Sequence, residues 1–221
     1  VTTRRTLLAD LSSEGTAELG RLGTLTVYPP GRTLMHEGDE DRHVLVLLDG
    51  CAKVVGVSPG GRESLLAIRV AGDLVGELAA LDGKPRSATV TAVLTTTARR
   101  LSGDEFLALL GRHPEDWLTV SRYVTAKLRD ANRSRVHSGS PVVARTARVL
   151  IELAEKFGRP VGGGVLVDMP LPQSALAGLV GASEPALHRA LTGLRRSGAV
   201  DTGYRRILIV NSTQLERAMR D

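Results

Sequence analysis

The sequence predicts an α+β chain in three parts: an N-terminal β-roll of jelly-roll type, a long helix, and a C-terminal helix-turn-helix with a wing. Three observations predict it. Short, β-branched, turn-punctuated runs fill residues 24 to about 101. The hydrophobic period then changes from two to three and four residues. Near the C-terminus, two short helical patterns meet at a glycine and are followed by an arginine-bearing ribbon.

In the first part, "TLTVY", "HVLVLL", "CAKVVGV", "ESLLAIRV" and "SATVTAV" read as strands. Between them lie "PPG", "EGDEDR", "DG", "SPGG", "AGD" and "LDGKP", all turn chemistry. Strands at that spacing suit a barrel or jelly roll. Ser102 with Glu105 is a capping-box signature, and "EFLALLGRH" follows as a short helix. Pro114, Glu115 and Asp116 suit the first turn of a helix that runs to about Val136. Trp117, Val120, Val124, Leu128 and Ala131 form a narrow apolar seam along it. So narrow a seam favours a dimer contact over packing on the helix's own domain.

His137 to Pro141 breaks that helix, and "VVARTARVLIELAEKFG" starts the next. The expected divisions are therefore 1–113 for the roll, 114–140 for the long helix and hinge, and 141–221 for the C-terminal domain. In that domain Leu176, Leu179 and Val180 share one helical face, and Leu187, Ala190, Leu191 and Leu194 another. Gly181 supplies the turn, and Ser183 is placed to cap the second helix, with Pro185 in its first turn. "GAVDTGYRRILIV" then reads as a two-stranded wing turning at Asp-Thr-Gly, and Asn211 with Gln214 opens a last helix.

Composition bounds the function. A hydrophobic content of 42% and a charged content of 24% are ordinary for a globular protein. No apolar run approaches the ~20 residues of a membrane span, and the N-terminus lacks the pattern of a secretory signal. A cytoplasmic protein with no membrane partner is expected. The single cysteine, Cys51, rules out an intramolecular disulfide and a several-cysteine cluster within one chain.

Charge is uneven. Residues 1–140 hold 18 Lys+Arg against 17 Asp+Glu, and residues 141–221 hold 11 against 7. On charge alone, nucleic acid and a solvated arginine-rich surface are equal readings. The helix pair, the wing and the basic cluster together point to double-stranded DNA. Ser183, Glu184, Ala186, His188 and Arg189 fall on or beside the second helix. Arg189 is placed to reach a base edge, most simply a guanine. Arg195, Arg196, Arg205 and Arg206 are placed to meet phosphates.

"GELAALDGKPRSATV", residues 76 to 90, carries the other chemistry. Gly76 lets a backbone approach closely. Leu78, Ala79 and Ala80 can form a turn whose free N–H groups face an anion. Glu77 can accept from a ribose hydroxyl, while Arg86 and Ser87 can donate to a phosphate. The plain alternative is a Glu77–Arg86 surface ion pair worth ~0–1 kcal/mol.

Taken in order, the "PPG…EGD" and "LLDG…K" turns, "AGDLVGELAAL…RSATV", the long helix and the "VGAS" helix-turn-helix resemble one family: the cyclic-AMP receptor protein and fumarate-nitrate regulator family of bacterial transcription factors. The resemblance covers essentially the whole chain. It implies a β-roll that binds a cyclic nucleotide, cyclic AMP ahead of cyclic GMP, and no metal. It also implies a homodimer through the long helix, a palindromic operator, and RNA polymerase as a partner. Gly76, Glu77, Leu78, Arg86, Ser87 and Ala88 match the family's phosphate-ribose cassette, with Ala79 beside them.

Two departures stand out. Ala131 and Asn132 occupy the places of two hydroxyl-bearing purine contacts, and only Asn132 has a side chain that hydrogen-bonds. Glu184-Pro185 replaces an Arg-Glu pair after Ser183, while Arg189 is kept. Other readings stand beside this one: a family member that needs no cyclic nucleotide or senses another effector, including haem through His36, His43 or Cys51; a nucleotide module acting through another protein; and a metal-bearing barrel enzyme. The last is disfavoured, because His36 and Glu37 would face opposite ways in a strand and no His-x-His occurs.

Overall fold

The computed structural model describes residues 6–57, 63–136, 140–167, 172–203 and 206–220. The chain separates into two compact units that divide between Ala131 and Asn132.

The first unit opens with two short helices that the sequence pattern did not announce, α1 (Leu7–Asp10) and α2 (Ser13–Leu19). Each is started by a hydroxyl cap: Thr6 accepts from the Ala9 N–H, and Ser12 from the Gly15 N–H. Eight strands follow: β1 (Thr24–Tyr28), β2 (Thr33–Met35), β3 (Val44–Asp49), β4 (Cys51–Val57), β5 (Glu63–Val70), β6 (Leu74–Val75), β7 (Thr89–Ala92) and β8 (Thr96–Leu101). They form two four-stranded antiparallel sheets, ordered β1-β8-β3-β6 and β2-β7-β4-β5. The helix α3 (Glu77–Asp82) interrupts the strands between β6 and β7.

Alternation along β3 splits its side chains between two cores. Leu45 and Leu47 pack with Leu34, Met35, Ala52, Val75, Val90, Ala92 and Ala98, drawn from both sheets. That cluster fills the roll. Val44 and Val46 face the other way, into a cluster with Leu7, Leu19, Phe106, Leu109, Leu110 and Val120. These come from α1, α2, α4 (Gly103–Arg112) and α5 (Pro114–Val136). The capping box at the start of α4 is complete: Glu105 N–H donates to Ser102 Oγ, and Ser102 N–H donates to Glu105 Oε2 at 2.7 Å.

The seam along α5 divides. Val120 is 1% exposed and belongs to its own unit's core, with Tyr123 and Val124 packed beside it. Trp117 and Leu128 remain 47% and 60% exposed, and Ala131 is exposed too.

The second unit holds α6 (Val142–Phe157), β9 (Gly158–Val161), β10 (Gly164–Val167), α7 (Gln173–Val180), α8 (Glu184–Arg196), β11 (Val200–Gly203), β12 (Arg206–Ile209) and α9 (Ser212–Ala218). Its strands form one sheet ordered β11-β12-β10-β9, so the wing is half of a four-stranded sheet rather than a lone ribbon. The wing does not turn at Asp-Thr-Gly as expected. Asp201, Thr202 and Gly203 are strand residues opposite Leu208, Ile207 and Arg206. Burial of Val200 and its partner Ile209 fixes that register, so the expected turn residues are paired strand; residues 204 and 205 lie outside the described residues.

Candidate functional site

Two sites were expected, one in each unit. In the first unit Gly76 sits at φ 85°, in the left-handed region. A Cβ there would come within 2.8 Å of His43 carbonyl oxygen and 2.6 Å of an Arg86 nitrogen. Only glycine fits such a position. It turns the chain out of β6 so that α3 starts at Glu77, which leaves the first N–H groups of that helix without intrahelical acceptors. Glu77, Ala79 and Ala80 are buried, and Leu78 stays exposed.

Arg86 reaches this turn from the segment before β7, and Ala88 is buried two residues on. Arg86 is 4% exposed, yet its guanidinium is well supplied. Its Nε donates to Asp41 Oδ1 at 2.7 Å, Nη1 donates to Gly76 carbonyl oxygen at 2.9 Å, and Nη2 donates to the His43 carbonyl. Three of five N–H groups are thereby used, leaving two for another acceptor. Ser87 is exposed beside it.

Glu77 and Arg86 do not pair with one another, so the surface ion pair set against the cassette is ruled out. Glu77 accepts from Lys127 Nζ at 2.8 Å, across from α5. Lys127 Nζ also donates to Leu74 carbonyl oxygen at 2.9 Å and lies 4.4 Å from the centre of the Tyr123 ring. Burial, only partly offset by Glu77, pulls the Lys127 ammonium down to about 8. The Tyr123 phenol is pushed up by burial, with Asp73 adding to it.

Asp41 and His43 form a second layer behind Arg86. Asp41 pairs with both Arg86 and His43 Nδ1, and Arg100 approaches the same ring nitrogen at 3.2 Å. Burial works to raise the Asp41 carboxyl, but Arg86 and His43 outweigh it and hold the group below its ordinary range. Burial pushes the His43 imidazole down, against the pull of Asp41 and helped by both arginines. His43 Nε2 is buried with no hydrogen-bond partner among the described residues. Sequence spacing gave no sign of Asp41, Tyr123 or Lys127, and it raised His43 only as a haem alternative. Ala131 lies in α5 and is exposed; Asn132 continues the helix, its side chain outside the described residues.

Among the described residues, one group of three side chains stands close enough to hold a metal ion. His113, Glu115 and Asp116 bring ligand atoms within 4.8 Å of one another, but Asp116 already accepts from Ser12 N–H and Ser12 Oγ at 2.7 and 2.9 Å. His36, His43 and Cys51 are not part of that group.

In the second unit α7 ends at Gly181, with φ 66°. Ser183 takes the extended N-cap conformation of α8, yet its side chain makes no capping bond, so that expectation is corrected. The Pro185 ring at the second helical position needs no N–H, and Glu184 places negative charge at the positive helix end. Leu187, Ala190, Leu191 and Leu194 are buried against α6 and α7. At 100° per residue the opposite face is Pro185, Arg189, Thr192 and Arg196, flanked by His188 and Arg195. Glu184, His188, Arg189, Arg195 and Arg196 are exposed, and Ala186 is half-buried. Thr192 was not anticipated; its hydroxyl accepts from Arg195 Nη2 at 3.0 Å. Arg206 is exposed at the start of β12, while Arg205 lies outside the described residues.

Comparison with known proteins finds a domain match in each unit. Residues 25–113 match the cyclic nucleotide-binding domain, and residues 144–218 match the Crp-like helix-turn-helix domain. A CRP-like cAMP-activated global transcriptional regulator of Mycobacterium tuberculosis is 30% identical over 194 residues, covering 87% of each chain. A global nitrogen regulator of Synechocystis is 24% identical over 197 residues, covering 86% of each. A solved CRP-family transcriptional regulator from Thermus thermophilus superposes with a TM-score of 0.70 at 25% identity, covering 89% of this chain and 97% of that one. The chain therefore belongs to the cyclic-AMP receptor protein and fumarate-nitrate regulator family of DNA-binding transcription regulators, which are not enzymes.

Proposed function

We propose that this regulator binds a cyclic nucleotide in its N-terminal roll, cyclic AMP ahead of cyclic GMP, and that the ligand tunes its grip on DNA. One observation carries the reading: Gly76, Glu77 and Arg86 converge at the start of α3, with the Arg86 guanidinium 2.9 Å from Gly76 carbonyl oxygen. A phosphate there meets free helix N–H groups and the remaining arginine donors, and Ser87 supplies a hydroxyl beside them. Glu77, held by Lys127, is placed to accept from a ribose hydroxyl. The chain acts as a homodimer on a palindromic operator, joined through α5, where Trp117, Leu118 and Leu128 stand exposed. Only different affinities of ligand for two arrangements of the dimer make a switch. RNA polymerase is the further partner, in the cytoplasm.

The second reading keeps DNA and drops the cyclic nucleotide. Ala131 favours it, because an alanine side chain offers no hydrogen bond to a purine. Titration calorimetry of nucleotide-stripped protein with cyclic AMP, then cyclic GMP, separates the two. Saturable cyclic AMP binding near one per chain is expected. No heat with either nucleotide would transfer the proposal to the second reading.

A further inference from the structure

Arg145 lies in the first turn of α6, on the side facing the end of α7. Its Nε donates to Val180 carbonyl oxygen at 2.9 Å and its Nη2 to Gly181 carbonyl oxygen at 3.0 Å. Its Nη1 donates to the carbonyl of Ser140, the residue that leads into α6. The Val180 and Gly181 carbonyls belong to the C-terminus of α7, where the helix itself supplies no partners and the dipole end is negative. A cation with several donors is suited to that end.

We propose that Arg145 is a positioning residue for DNA reading: it fixes the helix-turn-helix turn against the segment that enters the C-terminal unit. The guanidinium is a planar fork whose donors keep fixed mutual angles. Three carbonyls bound to one fork are therefore fixed relative to one another. Gly181 is three residues ahead of Glu184, so the end of α7 determines where α8 begins and where His188 and Arg189 point. Residues 137–139 lie outside the described residues; Ser140, which follows them, is tied to the end of α7 through this side chain. The core does not depend on it. Leu150, Leu176, Leu187, Leu191 and Leu194 are buried, and α6 packs directly on α8. Loss of Arg145 should misplace α8 rather than unfold the unit.

The inference rests on α8 being the DNA-reading helix, and the test separates the two. The full chain is first used to enrich a duplex from a random pool. Affinity for that duplex, and for a scrambled duplex of equal length and composition, is then measured for the unaltered protein, Arg145→Gln and Arg145→Lys, with thermal melts of each. Arg145→Gln should lose about tenfold or more on the enriched duplex, the scale of lost base contacts. Its affinity for the scrambled duplex, set by phosphate contacts, should stay within about twofold. Arg145→Lys, which keeps the charge but not the fork, should fall between. Unchanged affinity for the enriched duplex would overturn the proposal. An equal loss on both duplexes in both variants, with the cooperative melt gone, would also overturn it by reducing Arg145 to a folding residue. Enrichment of no duplex by the unaltered protein would remove the DNA-reading assignment first, and this proposal with it.

Discussion

Arg86 in the roll is 4% exposed and donates to three acceptors of its own chain, whereas Arg189 and Arg196 on α8 stand exposed to solvent. The two settings suit different anions. A buried guanidinium has already lost its water and its rotamer freedom during folding, so a single small phosphate meets a group that is oriented in advance. Exposed arginines keep their hydration and mobility. They become useful together, along a polymer whose condensed counterions they release. On the proposed function, one unit holds a small anion and the other meets a line of phosphates.

The comparison breaks most visibly at Arg86. Replacing it with leucine should lower cyclic nucleotide affinity about tenfold or more, since a charge-assisted phosphate clamp is lost. It should also lower the melting temperature, because Gly76 and His43 carbonyls and Asp41 lose their donor. Asp41 is 44% exposed and can be rehydrated, so the cost should lie near the ~1–3 kcal/mol of an unsatisfied group. The ~3–5 kcal/mol of a broken buried pair is an upper bound. Calorimetry with cyclic AMP and thermal melts of the same preparation read both effects. Full affinity in this variant would end the cassette assignment.

Arg189→Ala should do the reverse: no change in melting, and a loss of ~1–3 kcal/mol on the preferred duplex with relaxed choice at one base position. Selection from a random pool with the variant reads this directly. An unaltered preference would move base reading to His188 or Thr192.

The same contrast explains what the sequence disclosed. The α8 face was legible because it is local: burial of Leu187, Ala190, Leu191 and Leu194 at helical spacing fixes which arginines point outward. The Ser102–Glu105 box and strands such as Cys51–Val57 were legible for the same reason. The turn that brings Gly76, Glu77 and Arg86 together was legible, but the partners of these residues were not, since Asp41 is 45 positions from Arg86 and Lys127 is 50 from Glu77. Such pairs are set by topology. β8 was missed because Thr96, Ala98 and Leu101 bury a strand that reads as "TTARRL" and carries two arginines. The hairpin of β9 and β10 was hidden by the glycines of "GRPVGGGVLV". The wing turn was misplaced because Asp-Thr-Gly has turn chemistry, but the buried Val200–Ile209 pair overrides it.

A smaller effect belongs to Arg196. Its replacement by alanine should weaken binding about equally on every sequence and reduce the slope of log affinity against log salt by about 1. Binding isotherms at several salt concentrations, on the enriched and scrambled duplexes, give that slope. A loss confined to the enriched duplex would place Arg196 on a base instead of a phosphate.

The smallest effect tests the buried side of the comparison at Lys127. Its ammonium titrates near 8 in the folded protein, against an ordinary value of about 10.4. Between those values the folded state binds fewer protons than the unfolded state at this site. Stability from this group therefore rises with pH across the window, and below it the buried charge is a net cost. Tyr123 works the opposite way, but only above its ordinary value near 10, because its folded form holds the proton longer. From pH 8 to 10 the Lys127 contribution thus stands clear of it. Urea melts of the unaltered protein and of a Glu77→Gln/Lys127→Met double variant, which removes both charges together, should differ in slope over that range. The unaltered protein should gain stability relative to the variant as pH rises. Parallel slopes would mean that Lys127 keeps its water and its ordinary proton affinity, and that Glu77 is held by an ion pair no different from one at the surface.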